Sequence, residues 1–137
     1  MEHITTSKFT NRFVSLILGA RNFPKKSLDR HILFISSILG LDPGHKYSEN
    51  ELNDELRKWA DQFGGNFGLD HVTLRRFLVD EKYLKRDLSG KSYELETVDL
   101  PYTYDQSIRK LNPKELIGEA IKVQELRKKQ YMKKSNE

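Results

Sequence analysis

Apolar side chains return every three or four residues through the first part of the chain. Phe9, Phe13, Leu16, Ile17 and Ala20 share one face of a helix expected over residues 6–20. Asn22, Phe23 and Pro24 end it, because the residue before a proline avoids helical geometry. A second helix is expected over residues 27–39, with Ser27 as its cap, Asp29 near its positive end and Leu28, Ile32, Ile35 and Leu39 as its stripe. Gly40 closes it, and Asp42, Pro43 and Gly44 make a turn. The strongest local signal follows. Ser48 stands three residues before Glu51, the spacing of a capping box, and Leu52, Leu56, Trp59, Ala60 and Phe63 give one apolar face to a helix over residues 49–62. Three glycines among residues 64–68 predict a loop. Asp70 then caps a fourth helix over residues 71–82, with Leu74, Phe77 and Leu78 inward.

At residue 83 the period changes. Residues 83–87 and 91–95 read as two short strands, joined by a turn at Leu88, Ser89 and Gly90 with glycine where positive φ is easiest. A further short strand over residues 45–47 is expected beside this hairpin. Residues 97–112 have no clear period and read as a stretch crossing the surface on Leu100, Pro101, Tyr102 and Tyr104. Pro113 opens a last helix running to about residue 133, with Leu116, Ile117, Ala120, Ile121 and Val123 on its apolar face. The expected class is therefore mainly α with a small β-hairpin, an α+β chain. Its order is that of a winged helix-turn-helix with extra N- and C-terminal helices. The expected divisions are residues 1–22 (an amphipathic helix), 23–96 (a winged-helix-like domain) and 97–137 (the surface-crossing stretch, the last helix and a basic tail).

Composition narrows the possible functions. The chain of 137 residues fits one domain with tails. No apolar run approaches the ~20 residues needed to cross a bilayer, so no membrane association is expected. Lys8 and Arg12 ahead of residues 13–20 loosely mimic a secretory signal, but that stretch is short and Ser15 interrupts it. With 0 Cys, disulfides, thiolate zinc ligands and cysteine nucleophiles are excluded, and a reducing, cytoplasmic location is expected. The net charge of +4 lies at the two ends: residues 1–23 hold 3 basic and 1 acidic side chains, residues 24–95 hold 12 of each, and residues 96–137 hold 9 basic and 7 acidic. Such a charge speaks to long-range attraction rather than fold.

Signs of enzyme chemistry are missing. His3, His31, His45 and His71 form no pair at helical ligand spacing, and the phosphate-binding, nucleotide-binding and nucleophile-elbow motifs are absent. The glycines at 64–68 follow a helix rather than a strand and lack a lysine partner. Glu49, Glu51, Asp54 and Glu55 crowd one helix, which a solvated face and one cap explain; a metal would need oxygens from several elements. No catalytic residue, metal or cofactor is expected.

The segment from Phe23, Pro24, Lys25 and Lys26 onward carries a specific pattern. It runs through Tyr47, Ser48, Glu49, Glu51 and Asn53, then Asp70, His71, Thr73, Leu74, Arg75 and Arg76, then Leu78, Val79, Asp80, Leu84, Arg86, Gly90 and Tyr93. In order and spacing it resembles a bacterial family known as domain of unknown function two-zero-eight-seven, over about residues 23–95. The resemblance implies a winged-helix-like unit of the kind found beside transcription regulators, and it implies no catalytic residues.

Double-stranded DNA is the partner this order suggests, because the helix before the hairpin enters the major groove and the wing touches the backbone. The helix offers His71, Thr73, Arg75 and Arg76; the wing offers Lys85, Arg86 and Lys91. Arg76 is expected to point outward. Arg75 lies nearer the inner face, where pairing with a carboxylate of the preceding helix is its alternative role. Asp80 and Glu81 would repel phosphate, and the central segment is neutral. A protein–protein interaction module without a nucleic-acid role is thus the rival reading. The terminal helices are expected either to fold back or to pair in a homodimer.

Overall fold

The computed structural model describes residues 2–135. Helix α1 (Thr6–Gly19) is capped by Thr5, whose Oγ1 accepts from the Lys8 N–H at 3.2 Å, and it buries Phe9, Phe13 and Leu16. Helix α2 (Ser27–Ile38) runs through the middle of the molecule. It is buried on nearly every side from Asp29 to Ile38 rather than along one stripe, because α1 covers one flank and later helices the other. The buried Asp29 takes both arms of the Arg12 guanidinium, at 3.0 Å each, which joins α2 to α1. The buried hydroxyls of Ser36 and Ser37 donate to the carbonyls of Leu33 and Phe34. Ser27 lies inside the helix rather than capping it; Lys26 holds the cap position, and the Ser27 hydroxyl meets that of Tyr102 at 2.9 Å.

After the turn at residues 42–46, a short strand leads directly into helix α3 (Glu49–Trp59). Ser48 Oγ accepts from the Glu51 N–H at 3.2 Å and Glu51 Oε1 accepts from the Ser48 N–H at 3.4 Å, so the capping box forms as its spacing predicts. Leu52, Leu56 and Trp59 face inward, and the Trp59 indole N–H donates to Ser36 Oγ at 2.9 Å. The glycine segment is not an open loop. The helix widens into a π turn over Ala60–Gly64 and tightens into a 3-10 turn over Gly65–Phe67, ending at Gly68 with φ of 65°. Burial of Phe67 and Leu69 holds this coil against the core. Gly64 sits where an added Cβ would lie 2.1 Å from the Leu69 carbonyl oxygen, so only glycine lets the chain turn so tightly.

Helix α4 (His71–Asp80) follows, capped by Asp70 through the Thr73 N–H at 2.7 Å. Leu74 and Leu78 are buried, and Phe77 stacks on Phe34 and Phe23. The strands come in two groups. In the first, β2 (Tyr47–Ser48), β3 (Leu84–Arg86) and β4 (Ser92–Leu95) form an antiparallel sheet in the order β2–β4–β3, with Tyr47 opposite Tyr93 and Lys85 opposite Glu94. The expected extra strand thus pairs with the hairpin. In the second, β1 (His3–Ile4) lies parallel to β5 (Thr103–Tyr104). Asp105 fastens this clasp: its carboxylate accepts from His3 Nε2 at 2.7 Å and from the Thr6 N–H at 2.8 Å.

The stretch at residues 97–112, without period in the sequence, therefore holds β5 and a 3-10 turn over Gln106–Lys110 whose Ile108 is fully buried. Arg109 of that turn donates to the carbonyls of Leu41 (2.9 Å) and Ile38 (3.4 Å) at the end of α2. Helix α5 (Pro113–Ser135) begins against α1 through Leu116 and Ile117. One core runs through all these parts, from Ile4 and Phe9 to Leu95 and Ile108.

Candidate nucleic-acid interface

Helix α4 and the β3–β4 hairpin border a shallow groove lined by Arg75, Arg76, Val79, Asp80, Arg86 and Tyr93. Tyr93 organises its floor. Strand alternation buries its ring, and two guanidiniums lie over that ring, Arg75 at 5.9 Å and Arg86 at 5.7 Å from the centroid. Its hydroxyl donates to Glu49 Oε1 at 3.4 Å.

Arg75 is largely buried and committed to its own protein. Its Nη1 donates to Asn53 Oδ1 at 2.5 Å and its Nη2 lies 3.5 Å from Glu49 Oε1, so it pins α4 to α3. Arg76, one residue on, is exposed and has no hydrogen bond or ion pair among the described residues. Thr73 is half-buried at the first turn, where its N–H is spent on the cap. His71 beside it meets Arg57 of α3, whose Nη2 lies 3.4 Å from the ring Nε2. These four α4 residues share one helix, yet only Arg76 is both exposed and without a partner.

The hairpin is stiffened by one carboxylate. Asp87 accepts from the Ser89 hydroxyl (2.9 Å), the Lys91 N–H (2.9 Å) and the Ser92 hydroxyl (3.0 Å). These donors, Ser89 first, hold its pKa down to about 2. Gly90 takes φ of 73°, with the Arg86 guanidinium packed against it. Lys91 projects from the turn with its ammonium unpaired among the described residues, while Lys85 lies 3.6 Å from Glu96. Leu88 at the tip is fully exposed. Lys46, just before β2, lines the neighbouring face of the hairpin with Lys85 and Arg86. Lys46 and Tyr93, the latter named only as part of the family pattern, are not among the site residues expected from the sequence, although the expected pairing of residues 45–47 with the hairpin is a signal for the first and strand alternation for the second.

The charges are mixed. The guanidiniums of Arg75, Arg76 and Arg86 share the groove with Asp80, and Glu49 lies behind Arg75. Among the described residues no group of three or more His, Asp or Glu is placed to hold a metal ion, and no helix is long and apolar enough to cross a membrane.

Residues 20–95 match the model of a family described as an uncharacterized protein conserved in bacteria (DUF2087). That match spans α2 to β4 and contains every residue of the groove. No curated protein and no solved structure matches the chain significantly.

Proposed function

The chain belongs to this family of uncharacterised proteins conserved in bacteria, DUF2087, and on that footing we propose that it is a winged-helix protein that binds double-stranded DNA through the α4–hairpin groove. The order α2–β2–α3–α4–β3–β4, with β4 central in the sheet, supports the winged-helix reading. The observation that carries the DNA reading is the division of labour between adjacent arginines. Arg75 is tied down and fixes α4, while Arg76 is left free on the same rim as Arg86 and close to the wing that carries Lys91.

In this reading α4 lies along the major groove. Arg76 contacts a phosphate or a guanine edge, the two targets its planar fork suits. Lys91 and Arg86 bear on the backbone beside it. Few base-reading side chains are present and Asp80 opposes phosphate, so affinity comes mainly from phosphate contacts and specificity is modest. The protein acts as a cytoplasmic regulator-like binder and performs no catalysis.

Fluorescence anisotropy of the full chain on labelled duplexes, at several salt concentrations, tests the proposal. Binding that steepens by ~0.9 in log–log salt slope for each phosphate contacted, and that weakens on Arg76→Ala, is expected. Basic residues of α5 provide the control. Loss of binding on replacing Arg127, Lys128 and Lys129, with no effect of Arg76→Ala, would transfer the role to the tail and leave the groove to a protein partner.

A further inference from the structure

A cavity of about 300 Å³ opens where the end of β4 meets the stretch leading to α5. Ile38 of α2, Pro43 of the following turn, and side chains from residues 95–100 and 103–109 line it. That volume stands at the lower end of the range for small-molecule sites. One side is apolar: Ile38 and Leu95 reach it from the core, Leu100 is half-buried, and Val98 is 79% exposed.

Glu96 and Arg109 are the two charged residues among those lining the cavity. They make no ion pair with each other, because each is anchored elsewhere. Glu96 Oε1 accepts from the N–H of Val98 at 3.2 Å and of Asp99 at 3.5 Å. The Val98 N–H foremost holds the Glu96 pKa below its ordinary value, so the carboxylate is charged. Among the described residues its Oε2 has only Lys85, at 3.6 Å and so beyond hydrogen-bond reach. Arg109 spends two of its guanidinium N–H groups on the carbonyls of Leu41 and Ile38, and the others have no partner among the described residues. One fixed anion and one fixed cation thus share a small cavity, each with unused hydrogen-bonding capacity. A simple anion would meet Glu96 and a simple cation Arg109; a ligand carrying both charges satisfies both.

We propose that this cavity binds a small zwitterion, an ammonium and a carboxylate on a short apolar frame. The carboxylate takes the remaining N–H groups of Arg109, whose planar fork suits it. The ammonium donates to Glu96 Oε2, and the frame lies on Leu95, Val98 and Leu100. Amino acids with adjacent charges and ω-amino acids with separated ones both offer this chemistry. The site does not depend on DNA binding.

Isothermal titration calorimetry of the full chain tests it, with L-leucine and ε-aminocaproate as probes up to about 10 mM. Saturable binding of at least one is expected; tighter leucine assigns adjacent charges, and tighter ε-aminocaproate assigns separated ones. Isocaproate and isoamylamine keep the frame of leucine with a single charge, as caproate and hexylamine do for the longer probe. Each should bind at least roughly tenfold more weakly than its parent. Amide shifts in heteronuclear NMR should concentrate at residues 95–109. Glu96→Gln keeps an oxygen for the Val98 N–H and should weaken the zwitterion roughly tenfold without weakening the single carboxylates. Arg109→Gln also unties the end of α2, so its loss of binding is read against the folded fraction from circular dichroism. No saturable binding of either zwitterion, single-charge analogues as tight as their parents, or unchanged affinity in Glu96→Gln would each overturn the proposal.

Discussion

The ring of His31 and the hydroxyl of Tyr83 meet at 2.6 Å inside the protein, between α2 and the start of β3. Burial pushes the Tyr83 pKa far above its ordinary value, so the hydroxyl keeps its proton and can donate to His31 Nδ1. The other ring nitrogen lies 3.5 Å from Glu81, whose side chain is 44% exposed and well solvated. Glu81 favours a charged ring, but desolvation outweighs it and Arg30 adds to the lowering, so the His31 pKa falls below 6.5.

A pH dependence follows. The unfolded chain takes up a proton at His31 near pH 6.5, whereas the folded chain resists until lower pH. Stability is therefore undiminished above pH 6.5 and declines as pH falls through that value toward the folded pKa. Thermal unfolding between pH 7 and 5 should show a falling Tm that flattens in His31→Gln. Parallel curves for the two proteins would contradict this assignment.

The capping box gives a second expectation. Ser48→Ala removes the acceptor for the Glu51 N–H and should cost ~1 kcal/mol, or about 4 °C in Tm. Differential scanning calorimetry of the two chains decides it.

Gly64 gives a harsher one. A methyl group there collides with the Leu69 carbonyl, whose own N–H is bound to the Gly64 oxygen at 3.0 Å, so neither strand of this tight return can yield easily. Gly64→Ala should destabilise by about 3 kcal/mol or more. At Gly65, where an added Cβ meets nothing within 4 Å, alanine should be tolerated, and urea unfolding compares the two.

The adjacent arginines separate stability from binding. Arg75→Ala frees Asn53 and the α3–α4 junction and should lower stability by ~1–2 kcal/mol. Arg76→Ala should leave stability within ~0.5 kcal/mol while weakening duplex binding more than its neighbour does. Lys91→Ala should weaken all duplexes alike and reduce the salt slope by ~0.9. Equal binding losses for both arginines at matched folded fraction would remove the distinction.

What the sequence disclosed was what neighbouring residues decide. The capping box, the Asp70 cap and the positive φ of Gly90 each depend on a few adjacent positions, and all three were legible. The π and 3-10 turns at residues 60–67 were not, because three glycines argue locally for a loop and only the burial of Phe67 and Leu69 keeps the coil closed. Pairing of two-residue strands across some hundred positions leaves no periodic trace, so β1 and β5 could not be foreseen. Of the α4–hairpin groove, the inward Arg75 and outward Arg76 followed from helical phase. The uptake of His71 by Arg57 and the central place of Tyr93 depend on how separate elements meet.

The clasp between β1 and β5 sets the order in which a nascent chain can mature. His3 and Ile4 are synthesised about a hundred residues before the strand that holds them and the Asp105 carboxylate that locks them. During translation α1 can lean on α2 as soon as both have emerged, but its leading end stays undocked until residues 103–108 arrive. The last loop before α5 thus completes the first turn of α1, and a ribosome stalled before residue 103 would display residues 3–6 undocked and open to proteases.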